Sequence, residues 1–221
     1  MKKQPAINDL LKVMQRLRSP TGCPWDREQD HMTLRRHAIE EVYELIDAIE
    51  AGDDVEMAEE LGDLLLQVVF HCQLASERGV FDFVKVTRNL VEKIIRRHPH
   101  VFATTKVKDI DEVWANWEKI KRAEKTGTHL ERKSAFDGIP KHLPALLRAE
   151  KLLKKAHKVF TTDQAFSKTP KRKLGKAAMA NELFELTALA QANGWCAEEL
   201  LASETKKRER TFRSREKKAA K

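Results

Sequence analysis

Three cysteines, eight glycines and seven prolines in 221 residues are few. Cys23, Cys72 and Cys196 lie far apart and form neither a paired framework nor a CxxC metal site, so a disulfide scaffold is not expected and a reducing, cytoplasmic setting is. Scarce glycine and proline, with little alternation of β-branched residues, leave no pattern for a sheet. Long apolar runs are missing too. The longest, Leu64 to Phe70, is interrupted by Gln67 and is too short to span a bilayer. The opening MKKQPAINDL shows no apolar core before a small-residue cleavage site, so no secretory leader is expected. A glycine-rich phosphate cradle is also lacking, since Gly175-Lys176 is only a fragment of one.

Charge is plentiful, at 34% of residues, and unevenly placed. Residues 126–221 carry 22 Lys+Arg against 11 Asp+Glu, a balance of +11; residues 1–125 carry −3. The basic ending KKRERTFRSREKKAAK reads first as a solvated helix fraying into a tail. Nucleic-acid binding through this half is the alternative. The pattern predicts an all-α protein of antiparallel helix pairs. Helices are expected over Ile7–Leu17, Asp30–Ala51, Asp53–Arg78, Phe81–Arg97 and Asp109–Lys125, with SPTGCPWD a loop. Further helices are expected over Leu143–His157, Lys176–Asn193 and Trp195–Lys217. Gly52 suits a helix C-terminus, Asp53 with Glu56 a capping box, and His98-Pro99 a stop. Residues 1–126 are expected to form one domain, 127–142 a linker and 143–221 a second domain.

The chemistry gathers in EEVYELIDAIEAGDDVEMAEELGDLLLQVVFH, residues 40–71. At about 100° per residue, Ile39, Val42, Ile46 and Ile49 share one helix face, and Glu41 and Glu44 share another beside His37. Glu40 falls roughly 100° from Glu41. On the following helix Glu56, Glu60, Asp63, Gln67 and His71 make a narrow polar stripe between apolar flanks. A surface helix has a broad polar face; a stripe this narrow is expected to be buried or to line a cleft. The short AGDD turn makes the two helices antiparallel neighbours, so Glu41 and Glu44 are expected to face Glu60 and Asp63. Converging carboxylates repel unless a cation joins them, and an all-oxygen set favours Mg²⁺, with Mn²⁺ or Ca²⁺ as alternatives. A di-iron bundle needs two Glu-x-x-His motifs, and only Glu28-x-x-His31 is present, outside the cluster. Surface ion pairing is the bland alternative, and the stripe argues against it.

Lys93, Arg96 and Arg97, at i, i+3 and i+4, suit phosphate oxygens. Trp114 and Trp117, with Lys121 one turn on, offer an aromatic face beside a cation; either tryptophan could instead belong to the core.

Glu40-Glu41-x-x-Glu44 and Glu60-x-x-Asp63 resemble the EExxE…ExxD signature of MazG-type nucleoside triphosphate pyrophosphohydrolases. GCPWDREQDHMTL, EELGDLLLQVVFH, RRHPHVF and WEKIK extend the likeness over about residues 7–125. The resemblance implies an all-α, dimeric, Mg²⁺-binding enzyme that converts NTP or dNTP to NMP and pyrophosphate. It implies Glu41, Glu44, Glu60 and Asp63 as metal ligands, with Glu40 positioning water. It also implies Lys93 and Arg97 on phosphate, with Trp117 and Lys121 near the nucleotide. A nucleotide sensor with little turnover is the runner-up. DGIPKHLPALLRAEKLLKKA resembles the start of a second, tandem copy. In that half Ala178 and Asn181 stand where Glu60 and Asp63 stand in the first. No EExxE helix precedes them, because Thr161–Arg172 contains no glutamate, while Lys206 and Arg210 keep a basic pair. The second half is therefore expected to be a degenerate, metal-free repeat.

Overall fold

The computed structural model describes residues 6–160 and 174–219. Among the described residues it is all helix, with no strand, in two compact units, Met1–Trp117 and Glu118–Lys221. The polar stretch 161–173 lies outside the described residues. No helix among them is long and apolar enough to cross a membrane.

The first unit begins with α1 (Ala6–Leu17) and α2 (Pro24–Glu28). The second of these sits where a loop is expected. Pro24 takes the first helical position, where its missing N–H costs nothing. A helix starting at Asp30 does not form either. Asp30 Oδ1 accepts the N–H groups of Met32 and Thr33 at 2.7 and 2.8 Å, a local turn that competes with helix, and only a 3₁₀ turn (Thr33–Arg35) follows. α3 (His37–Ala51) then runs to Gly52, whose φ of 68° closes the helix in a left-handed conformation. Asp53 caps α4 (Asp54–Glu77) by accepting from Val55 and Glu56 N–H. The reciprocal half of a capping box is absent, because Asp53 N–H already donates to the Ala48 carbonyl. Asp82 caps α5 (Phe83–Arg97) through Lys85 N–H, and α6 (Pro99–Phe102) follows the expected stop. α7 (Ile110–Ala123) spans the boundary between the units.

Met14, Leu34, Val69, Phe70 and Leu74 form the first core, with Leu66 and Phe83 against it. Each such side chain contributes roughly 1.5–3 kcal/mol by leaving water. Arg18 ties the α2 segment down. It pairs with Glu77 through two 2.7 Å bonds, donates to the carbonyls of Asp26 and Gln29, and lies 5.7 Å from the Phe70 ring centre. The apolar face of α3, by contrast, stays open: Ile39, Val42, Ile46 and Ile49 are exposed, as are Leu61, Leu65 and Val68 on α4.

The second unit pairs α8 (Ala145–Val159) with α10 (Ala197–Ala219), and α9 (Lys176–Ala192) adjoins α10. In its core Phe136, Phe160 and Phe212 form a triangle of rings, 6.2 Å from Phe136 to Phe160, 5.8 Å from Phe136 to Phe212 and 6.1 Å from Phe160 to Phe212, in one cluster with Leu152 and Ala156. Residues 127–142 are therefore not a bare linker. Phe136 is fully buried, and Ser134 and Ala135 are bonded to Glu216 of α10, so the polar spacer is part of the second unit. Buried Arg148 pairs with Glu209, which also accepts from Arg213.

Candidate functional site

The α3–α4 hairpin sets the site. Its tight turn packs the two helices side by side, and the 3.6-residue period aims one carboxylate from α3 and two from α4 into the groove. Glu41, Glu60 and Asp63 each offer an oxygen, and these atoms all lie within 4.8 Å of one another. The polar stripe of α4 sinks as it runs: Glu56 is exposed, Glu60 and Asp63 are half-buried, and Gln67 is buried. Gln67 Nε2 donates to Glu41 Oε1 at 3.2 Å, joining the helices beneath the carboxylates.

The electrostatics are strained by charge of one sign. Burial, then Asp63, raises the pKa of Glu41; the Gln67 hydrogen bond works against that rise, and Glu44 adds to it. Burial, then Glu44, Asp63 and Glu41, raises that of Glu60. No lysine or arginine among the described residues pairs with Glu41, Glu60 or Asp63. Glu60 Oε2 is buried without a hydrogen-bond partner. A buried carboxylate oxygen without a donor is costly, and a hard cation shared among three carboxylates removes both the repulsion and the orphan. The donor set fits such an ion.

The other candidate residues fall into four places. Glu44 is exposed beside the trio, close enough to act on Glu41 and Glu60 but outside the ligand group. Glu40 is not one of the trio and pairs with His37 at 3.2 Å; Trp25 of CPWD stands edge-on to the same histidine at 6.0 Å. Lys93 and Arg97 are half-buried on α5, which packs on α4, while Arg96 is exposed. Trp117 stacks on Trp114 at 5.0 Å and lies 6.4 Å from His98, so the aromatic pair meets the C-terminal end of α5, next to Arg97. Lys121 belongs to the second unit and pairs with Glu118 at 3.5 Å.

Below Gln67 the stripe ends in a relay that sequence reasoning did not assign. Arg78 donates to His31 Nε2 at 2.8 Å, which makes His31 Nδ1 the donor to His71 Nδ1, also at 2.8 Å. Burial, then His31, lowers the pKa of His71. The two rings lie nearly parallel, 5.1 Å apart. The stripe itself was the signal for His71; nothing local marks His31 or Arg78 as its partners.

Residues 29–102 match the MazG nucleotide pyrophosphohydrolase domain. The chain is similar to the nucleoside triphosphate pyrophosphohydrolase of Escherichia coli, at 40% identity over 94% of this chain and 86% of that one. It is 46% identical to the nucleoside triphosphate pyrophosphohydrolase/pyrophosphatase MazG of Thermotoga maritima, over 69% of this chain and 57% of that protein. It is also 49% identical to the uncharacterized protein YabN of Bacillus subtilis over 64% of this chain, but it spans only 28% of that longer protein. The match to the Escherichia coli enzyme, which spans most of both chains, together with the acidic hairpin, shows that the chain belongs to the MazG nucleotide pyrophosphohydrolase family.

Proposed function

We propose that this protein hydrolyses nucleoside triphosphates, ribo- or deoxyribo-, to nucleoside monophosphate and pyrophosphate. The observation that carries this reading is the trio Glu41, Glu60 and Asp63, held within 4.8 Å by two packed helices with a buried, unpartnered oxygen on Glu60. These three would hold Mg²⁺, with Mn²⁺ as the alternative, and Glu44 stands beside them as a fourth acidic group. When bound, the cation supplies neutralisation of the triphosphate and polarisation of its phosphoryl oxygens.

The chain's own residues do the rest. Gln67 fixes Glu41 Oε1, so the carboxylate does not have to reorganise as charge builds. Glu40, in the exposed first turn of α3, would position water or take its proton. Lys93 and Arg97 would bind phosphate oxygens, with Arg96 more exposed at their side, and stabilise charge on the departing pyrophosphate. Trp117 would offer a face to the base, with Lys121 one turn further along α7.

The open faces of α3 and α4 support a homodimer, because the same two helices carry the site and leave Ile39, Ile46, Leu61 and Leu65 exposed. Three free cysteines suit a cytoplasmic setting. The second unit fits a degenerate repeat: Ala178 and Asn181 sit on α9, and exposed Lys206 and Arg210 on α10.

The test is product analysis over a panel of NTPs and dNTPs, with Mg²⁺ or with chelator, for wild type beside Glu41→Gln/Glu60→Gln. NMP and pyrophosphate formed only by wild type with Mg²⁺ is the expected result. NDP and orthophosphate would mean that a different bond is cleaved. Nucleotide binding without turnover would leave a sensor.

A further inference from the structure

A cavity of 380 Å³ opens in the second unit, built from the end of α7, the segment 126–135, α8 and α10. That volume lies within the range of small-ligand sites. Six of its lining residues are basic: Lys121, Arg122, Lys125, Arg132, Lys133 and Lys155. Three are acidic, and each is engaged by a neighbour. Glu216 accepts from Ser134 Oγ at 2.6 Å and Ala135 N–H at 2.8 Å. Glu131 accepts from Gly127 N–H at 3.1 Å, and Glu118 pairs with Lys121. The cavity thus keeps a positive excess.

Two of the cations are held in place. Half-buried Lys155 donates to the carbonyls of Ala135 and Asp137, which leaves one of its three N–H groups for another acceptor. Burial, followed by the like charge of Arg132, lowers its pKa. Arg132 lays its guanidinium on Gly138, where a β-carbon would fall 2.3 Å from Cζ; the φ of 80° there suits glycine as well. This crowding mirrors the acidic hairpin with the sign reversed, and an anion relieves it. None of the lining residues is aromatic, so the cavity offers a base no aromatic face. The described residues of this unit contain no cluster of three potential metal ligands.

We propose that this cavity binds a phosphate-chain anion, either inorganic pyrophosphate or the triphosphate end of a nucleotide, through Arg132 and Lys155 and without a metal ion. The site belongs to the second unit alone, does not depend on Lys121 and stands independently of the hydrolase reading. It gives the half that lacks the acidic motif a ligand of its own.

The test is calorimetric titration of the full chain in metal-depleted buffer with inorganic pyrophosphate, ATP and GTP. Saturable binding of pyrophosphate is expected, at least tenfold weaker in Arg132→Ala and in Lys155→Gln and unchanged in Glu41→Gln/Glu60→Gln. If ATP and GTP bind at this site, their affinities match each other and fall in the same two variants. If neither binds, the ligand is free pyrophosphate. Thermal melts accompany the variants, and should Lys155→Gln fold poorly, exposed Arg132 decides. Absence of saturable pyrophosphate binding, or wild-type affinity in Arg132→Ala, would overturn the proposal. Because no metal is present and the Glu41/Glu60 variant is included, failure here is separate from failure of hydrolysis.

Discussion

Gln67 on α4 donates its amide to Glu41 on α3, 26 positions earlier in the chain, at 3.2 Å. The bond joins the two helices at the carboxylate trio and restrains the one carboxylate that comes from the opposite helix. It also opposes the rise in the pKa of Glu41 caused by burial and Asp63. Gln67→Leu keeps the volume and removes the donor. Its expected effect is a loss of about 0.5–1.5 kcal/mol in cation affinity, roughly 2- to 12-fold, with the fold intact. Titration of the variant with Mg²⁺ or Mn²⁺ checks this; wild-type affinity would mean that Glu41 is oriented by helix packing alone.

Raised carboxylate pKa values make a prediction about stability. For Glu41 and Glu60 the folded chain holds the proton more tightly than the unfolded chain does. Well below the ordinary value of 4.5 both states are protonated and the groups cost nothing. As pH rises through 4.5 toward the higher folded values, the unfolded chain ionises first and stability falls; above those values the whole cost remains. Glu77, Asp137 and Glu209 are shifted the other way and stabilise the fold as pH rises, so the comparison must be with a variant. Without metal, Glu41→Gln/Glu60→Gln should melt above wild type at about pH 7, and the gap should close toward about pH 4. Adding Mg²⁺ at the higher pH should reverse the order, since only wild type keeps all three carboxylates of the trio. A metal-free wild type that melts higher throughout would show that the trio is not under repulsion.

Arg18 makes a prediction away from the acidic site. Its guanidinium is about nine-tenths buried, bidentate to Glu77, and joined to the carbonyls of Asp26 and Gln29. Arg18→Ala leaves Glu77 without its strongest partner and frees α2 from α4. The expected loss is about 2–4 kcal/mol of first-unit stability by denaturant titration. Glu77 owes its lowered pKa chiefly to this bond, so the loss should shrink as acid protonates it.

What could be read from the sequence divides along contact range. Gly52 and Asp53 act through atoms within five residues, so composition at the turn was enough to place them. Glu60, Asp63, Gln67 and His71 share a stripe because the period of one helix dictates it. Bringing Glu41 opposite needs only the short turn as well. Glu44 shows the limit of such reasoning: its wheel position is close to that of Glu41, yet it stays exposed beside the trio. Asp30 shows another limit, since apolar spacing suggested helix where a side-chain turn prevails. Arg18 with Glu77, His31 with His71, and Phe136 with Phe212 are 59, 40 and 76 residues apart, and no local pattern selects such pairs. Residues 127–142 looked like a linker because they are polar, and a single buried phenylalanine is a weak signal against that.

Lys93 and Arg97 allow the proposed chemistry to be tested on the substrate side. They share one face of α5, one turn apart, and both are half-buried; α5 itself touches the acid-bearing α4. If they bind the triphosphate, each makes charge-assisted bonds that strengthen as pyrophosphate departs. Lys93→Met keeps the apolar stem and loses the charge; its kcat/KM should fall by roughly 10- to 100-fold, corresponding to about 1.5–3 kcal/mol. Arg97→Lys keeps the charge but not the planar fork, and should recover part of the loss seen in Arg97→Ala. Arg97 also sits in the last turn of α5, where a cation favours the helix by about 0.3–1 kcal/mol, so a melt must accompany the kinetics. A fall confined to KM would assign the pair to ground-state binding; a fall in kcat places them on the leaving group. Unchanged kinetics in Lys93→Met would remove that residue from the phosphate site and shift the search for the phosphate ligands toward the aromatic pair Trp114 and Trp117 and the adjoining end of α5.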